Sequence, residues 1–293
     1  SVHGWRVEAT ARPGLPETTP TFELRLHADA TIRPDPLARL VERRSVQRRP
    51  YATTPLTAEQ KQALVDAVGP AHTLRWTEGA AGRWRMAVLL FRSARLRLVT
   101  PEAFRVHREV IEWDARFSID RVPDQALGVG RPMLAMMRFA MHSWERVQFF
   151  NRFLAGTWMP RLQMDLLPGW ACGAHFLLAA REAPQSVQDQ VQAGRALQRL
   201  WLTATRLGLM MQPELTPLIF GRYAREGREF SVRPGTMDAA RRVGQGLERL
   251  FGADALSHGV FMGRLGSAPA PTARSIRREL AALSRDNGGP AHG

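Results

Sequence analysis

The chain has 293 residues, enough for one large domain or two small ones with a substantial core. Its 41 basic residues outnumber 27 acidic ones for a formal charge of +14, but the arginines are spread along the chain instead of gathered with aromatics on one tail, which argues against a nucleic-acid partner. The single cysteine, Cys172, excludes a disulfide framework and a thiolate metal site and fits a cytoplasmic protein, and no apolar run approaches the roughly 20 residues of a membrane span.

Residues 4–9 and 22–27 alternate apolar and polar, which predicts two short strands joined by a Pro/Thr-rich connector. The chain opens on Ser1 as if in mid-element, so residues 1–34 read either as N-terminal strands or as the end of a preceding half of a longer polypeptide. Asp35-Pro36 has the form of a helix start, with Leu37, Leu40 and Val41 on one face and Pro50 as the stop. Thr57 with Gln60 caps a second helix bearing Leu64, Val65 and Val68. A strand over Thr73–Thr77, helices near 80–98 and 101–114, and one or two Met- and Phe-rich helices over 124–160 follow. Cys172–Ala180 reads as a strand, 186–207 as the clearest amphipathic helix, 235–251 as another, and 258–265 as a strand. The sum is α+β, several helices around a modest sheet.

Two arginine-dense segments stand near opposite ends. Arg43-Arg44-Ser45-Val46-Gln47-Arg48-Arg49-Pro50-Tyr51 is the first; the second runs from Arg264-Leu265-Gly266 to Arg274-Ser275-Ile276-Arg277-Arg278. The planar guanidinium fork matches phosphate oxygens, so two such segments on one domain suggest a phosphate-bearing ligand held from both ends. On the expected helix Arg44 and Arg48 fall on one face and would converge on a dianion; the plainer reading is a solvated helix terminus. The histidines show no metal-ligand spacing, there is no nucleophile elbow or Walker loop, and Gly128-Val129-Gly130 does not follow a strand. Cys172 reads as an inert core thiol. The run Met133 to Trp158 reads as core or as a lid over a flat ligand.

These segments resemble the nitroreductase-like FMN-binding family. Arg44-Ser45-Val46-Gln47-Arg48 with Tyr51 follows the family's Arg-x-Ser/Thr-x-Arg/Lys pattern, with Val46 in place of the usual hydroxyl. Gly194-Arg195-Ala196-Leu197-Gln198, followed by Gly208-Leu209, is similar to its buried helix and turn, and Arg264-Leu265-Gly266 to its last-strand turn. The likeness is nearest to the two-halved Acg-like branch and to domains fused to ThiF-type adenylating enzymes. It implies a nitroreductase-like fold, a mostly antiparallel central sheet surrounded by helices, over 35–280, with a lid at 124–160 and a flexible tail at 281–293. It further implies an FMN-dependent oxidoreductase acting by hydride transfer on a small flat substrate, with NAD(P)H as donor. Arg44, Ser45, Arg48, Gln198, Gly208, Leu209, Arg264 and Gly266 would hold the cofactor, and Arg274, Arg277 or Arg278 its phosphate. The family expectation is a homodimer, or a pseudo-dimer with an upstream half. The alternatives are a degenerate domain that sequesters flavin or binds a partner without catalysis, and a tailoring dehydrogenase fused to an adenylating enzyme.

Overall fold

In the computed structural model, which describes residues 2–14, 16, 18–153 and 156–283, the chain opens with a hairpin, β1 (Trp5–Ala11) against β2 (Phe22–Ala28). Its register puts Trp5, Val7, Ala9 and Ala11 opposite Ala28, Leu26, Leu24 and Phe22. One face is therefore apolar and the other polar. The apolar face is not covered: Trp5, Val7, Leu24 and Leu26 are all exposed.

The helix expected from Asp35 does not form. Asp35 does accept from the Leu37 amide at 2.9 Å, but only a 3-10 turn, Ala38–Leu40, follows. Residues 44–49 are extended instead. Val46 bridges to Met211, and the Gln47 amide donates to the Met211 carbonyl at 3.4 Å. Of the backbone groups that a helix would have used, the Gln47 amide goes to β8 and the carbonyls of Val41, Glu42, Arg48 and Arg49 accept from arginine side chains far along the chain.

Next come α1 (Ala58–Val68), with the Thr57/Gln60 capping box as expected, β3 (His72–Thr77), α2 (Gly79–Val99) and α3 (Pro101–Val110). Three two-residue strands follow, β4 (Ile111–Glu112), β5 (Phe117–Ser118) and β6 (Val122–Pro123). The Met- and Phe-rich region is helical: α4 (Arg131–Ala140), α5 (Trp144–Phe153) and α6 (Trp158–Arg161), then a π-helical turn at Leu162–Leu166 and α7 (Leu167–Trp170). The second half holds β7 (Ala174–Ala180), α8 (Val187–Arg206), β8 (Met210–Pro213), α9 (Thr216–Arg225), α10 (Thr236–Phe251), α11 (Ala255–His258), β9 (Gly259–Gly266) and β10 (Arg274–Ser275).

The main sheet runs β3-β7-β9-β8, antiparallel throughout. Helices cover both faces, so β7 reads as an apolar run interrupted only by His175, without the alternation of a half-exposed strand. Phe176, Leu178, Phe261 and Leu265 point to one face, where they pack with Leu64 of α1 and Leu200, Trp201 and Ala204 of α8. Leu177 and Met262 point to the other, among Met86 and Leu90 of α2, Leu218 of α9 and Leu247 of α10. Helices α9 and α10 cross at two glycines: a Cβ on Gly221 would lie 3.0 Å from the Gly244 Cα. The result is α+β, as expected, with β8, α9 and the two-residue strands as elements the sequence pattern did not reveal. No described helix is long and apolar enough to cross a membrane. The expected tail at 281–293 lies outside the described residues apart from its first three.

Candidate functional site

The two arginine-dense segments meet. After β9 the chain folds back so that β10 pairs with β5, and Arg274 and Arg277 reach the first segment. Arg274 Nη2 donates to the Glu42 carbonyl at 3.1 Å and Arg277 Nη2 to the Val41 carbonyl at 2.7 Å. Arg44 lies beside them, its guanidinium 4.2 Å from the centroid of the Trp201 ring on α8. Its Nε is buried with no hydrogen-bond partner among the described residues. Burial, with the nearby charge of Arg277 second, holds the Arg44 pKa below the usual arginine value. None of Arg44, Arg274 and Arg277 has a carboxylate within salt-bridging distance among the described residues. Among the described residues, this seam gathers positive charge with no ion-paired carboxylate.

Other expected residues gather near the seam. Gln198 is half-buried on α8, three residues before Trp201 and on the same side of the helix. Gly208, at φ +72, takes the left-handed turn that ends α8, and Leu209 enters the core before β8 begins. Because Met211 of β8 meets Val46, that turn is brought next to the first arginine segment. Ser45 is half-buried, and Arg278 is exposed.

Two expected residues have different surroundings. Arg48 does not share the Arg44 site. Its Nη1 donates to the Ala126 carbonyl at 3.1 Å, and its side chain faces a cavity under α4 and α5. The helical spacing that would have joined it to Arg44 is absent, because the segment is extended. Arg264 is 1% exposed and points into the interior. Its Nη2 donates to the carbonyls of Arg48 (2.8 Å) and Arg49 (3.4 Å), and its guanidinium lies 4.6 Å from the Tyr51 ring centroid. Gly266 is fixed by packing, since a Cβ there would meet the Gly173 nitrogen at 2.9 Å.

Behind Arg264 lies a buried polar chain. Strand register sets Arg264 opposite His175, on the sheet face that α2 covers, with Glu214 following β8 alongside. His175 Nδ1 is 2.8 Å from Glu214 Oε2, and Glu214 Oε1 is 3.8 Å from Arg264 Nε. Cys172 Sγ stands 3.4 Å from His175 Nε2. The chain is enclosed: His175 has no exposed surface. Among the described residues no group of acidic, histidine and cysteine side chains is arranged to hold a metal.

No protein-family model matches the chain, and no curated protein matches it by sequence. Solved structures align with most of the chain. A nitroreductase-like family protein from Bacillus cereus has 11% identity and a TM-score of 0.44 over 89% of this chain and 100% of its own. A nitroreductase with bound FMN from Bacteroides fragilis has 11% identity and a TM-score of 0.42 over the same shares. The FMN-dependent nitroreductase NfnB from Mycobacterium smegmatis, solved with NADPH, has 17% identity and a TM-score of 0.43 over 85% of this chain and 96% of its own.

Sequence reasoning missed Trp201 as a platform for Arg44, and Glu214 as the partner of His175. Trp201 was legible only as a core position of α8. Glu214 follows Pro213 in a segment with no periodic pattern, and nothing in spacing ties it to His175, 39 residues earlier.

Proposed function

We propose that the chain is an FMN-dependent oxidoreductase of the nitroreductase-like type, with the phosphate of the cofactor held at the Arg44–Arg277 seam. The observation that carries this reading is the buried Nε of Arg44, which lacks an acceptor among the described residues and has a second guanidinium beside it. A phosphate dianion answers both. Arg44 would donate to it while its flat face rests on Trp201, and Arg277 would donate from the other side, held by its bond to the Val41 carbonyl. Arg274, tied to the Glu42 carbonyl, adds charge and sets the position of the segment. Ser45, Gln198 and the Gly208–Leu209 turn border the seam and would contact the rest of the cofactor. Arg264 and Gly266 act as supports: Arg264 fixes the carbonyls of Arg48 and Arg49, and so the course of the first segment.

Bound FMN supplies hydride transfer between a nicotinamide donor and a flat, electron-poor acceptor. The protein supplies binding and a positive field. The helices over 124–160 serve as the lid, and a homodimer, or an upstream half, completes the site. A cytoplasmic enzyme using NAD(P)H is the corresponding physiological form.

One observation favours the non-catalytic alternative. Arg48 and Arg264, both matched to the family pattern, spend hydrogen bonds on the protein's own carbonyls. A domain that sequesters flavin or binds a partner would show this.

The test is equilibrium dialysis of the purified protein against FMN, read by visible absorbance. Binding by the parent, weakened at least tenfold by Arg44→Ala and by Arg277→Ala, is the expected result. Absence of binding by the parent overturns the assignment. Binding without oxidation of NADH or NADPH selects the sequestering module.

A further inference from the structure

The cavity under α4 and α5 has a volume of about 260 Å³. Its wall is soft and apolar, built largely from Met136, Met137, Met141, Met164 and Phe150. The π-helical turn at Leu162–Leu166 contributes Met164 to this wall and Asp165 to the pair beside it. Among the side chains that reach the cavity, Arg48, Arg97 and His107 bear titratable groups.

Their charges do not balance. Arg97 Nη2 lies 2.9 Å and 3.1 Å from the two Asp165 oxygens, which answers that cation. Burial, and then the charge of Arg97, push the His107 pKa down to about 4, so its imidazole is neutral at physiological pH. It has no hydrogen-bond partner among the described residues. Arg48 has no carboxylate within salt-bridging distance there either, and beyond the Ala126 carbonyl its side-chain donors bond nothing among the described residues. One uncompensated cation is thus left against an apolar wall, a costly arrangement unless an anion completes it.

We propose that this cavity binds a small apolar molecule carrying one carboxylate, with the carboxylate on the unused donors of Arg48 and the body against the methionines. A single negative charge matches the single uncompensated cation. A phosphate dianion would leave one charge unmatched beside a neutral His107. The volume falls just below the roughly 300–1,000 Å³ of sites for drug-sized ligands, which suits a bicyclic aryl acid or a medium-chain acid. Methionine walls adapt to shape, so the site tolerates varied bodies and discriminates on charge. None of Arg44, Trp201, Arg274 and Arg277 lines this cavity, and the proposal does not rest on the flavin reading.

Isothermal titration calorimetry with 2-naphthoate and its neutral isostere 2-naphthamide, in the absence of flavin, tests the proposal. The parent protein binds the acid at least tenfold more tightly than the amide. Arg48→Met, which keeps an unbranched apolar chain, reduces that preference to less than twofold while leaving amide binding in place, and amide binding shows that the variant is folded. Met141→Trp, which fills the cavity and leaves Arg48 untouched, abolishes binding of both. Equal affinity for acid and amide in the parent, no binding of either, or binding that survives Met141→Trp overturns the proposal. The parent comparison decides the matter even if Arg48→Met does not fold. Because no flavin is present, failure here leaves the seam assignment standing, and the reverse.

Discussion

His175 Nδ1 and Glu214 Oε2 stand 2.8 Å apart in the interior, while the opposite ring nitrogen of His175 lies 2.7 Å from the Gly169 carbonyl oxygen. Both nitrogens face acceptors, so both donate, and the ring is the imidazolium. Glu214 is its counter-ion and also faces Arg264. A positive, negative, positive series therefore runs across the sheet between β7, the end of β8, and β9.

This series makes stability fall with alkali. Burial works against the His175 charge, but Glu214 and the neighbouring Cys172 outweigh it and push the pKa up to about 10. In the unfolded chain the ring titrates near about 6.5. Between those values the folded state holds one more proton than the unfolded state. The stabilisation is full below about pH 6.5 and drains as pH rises through about 10, at up to about 1.4 kcal/mol per pH unit. Urea midpoints measured from pH 6 to pH 10 should decline accordingly, and His175→Gln should flatten the decline.

Removing the shared carboxylate is worse than removing either cation. Glu214→Ala leaves Arg264 and His175 buried without a counter-charge, which costs about 3–5 kcal/mol. Denaturant unfolding followed by circular dichroism gives the value, and Glu214→Gln, which keeps hydrogen bonding but not charge, should fall between parent and alanine.

The lone thiol should be inert. Cys172 has no exposed surface, and its Sγ also lies 3.4 Å from the Gly169 carbonyl. A colorimetric thiol reagent should find no reactive cysteine in the native protein and one in guanidinium chloride. Rapid labelling under native conditions would contradict the enclosure.

Two glycines should respond to alanine for different reasons. At Gly221 the new methyl would meet Leu256 Cδ2 at 2.7 Å and the Gly244 Cα at 3.0 Å, so α9 and α10 must move apart at a cost of about 1–3 kcal/mol. At Gly208 there is open space, and only the left-handed backbone, at φ +72, resists a side chain, at about 1 kcal/mol. Gly208→Asn should recover part of that loss and Gly221→Asn none, as read by thermal melting.

Much of the fold was legible because local pattern and tertiary role agree. The Thr57 capping box and the α8 stripe of Ala196, Leu200 and Ala204 each satisfy their own backbone and bury one face. The segment 35–49 shows where pattern fails. Its apolar spacing and Asp35-Pro36 start suit a helix, but the Gln47 amide and the carbonyls of Val41, Glu42, Arg48 and Arg49 have partners far along the chain, in Met211, Arg277, Arg274 and Arg264. No local signal reports that competition. Strand β8 is four residues long and ends in Pro213, too short to show a period. The seam was readable as a meeting of two arginine segments, since guanidinium chemistry is local. The partition of those arginines was not: burial sends Arg264 inward, and extended backbone sends Arg48 to the cavity and Arg44 to Trp201.

The strand order carries a consequence for synthesis. β9 emerges from the ribosome after β3, β7 and β8, yet it lies between β7 and β8. Until residue 266 has left the exit tunnel, β7 pairs on one side only and β8 has no strand beside it, only the bridge from Met211 to Val46. The growing chain must therefore keep the open edge of its most apolar strand shielded while α8, α9 and α10 are made. That is a long interval for an aggregation-prone edge, and it makes nascent-chain chaperones a natural requirement for producing this protein in quantity.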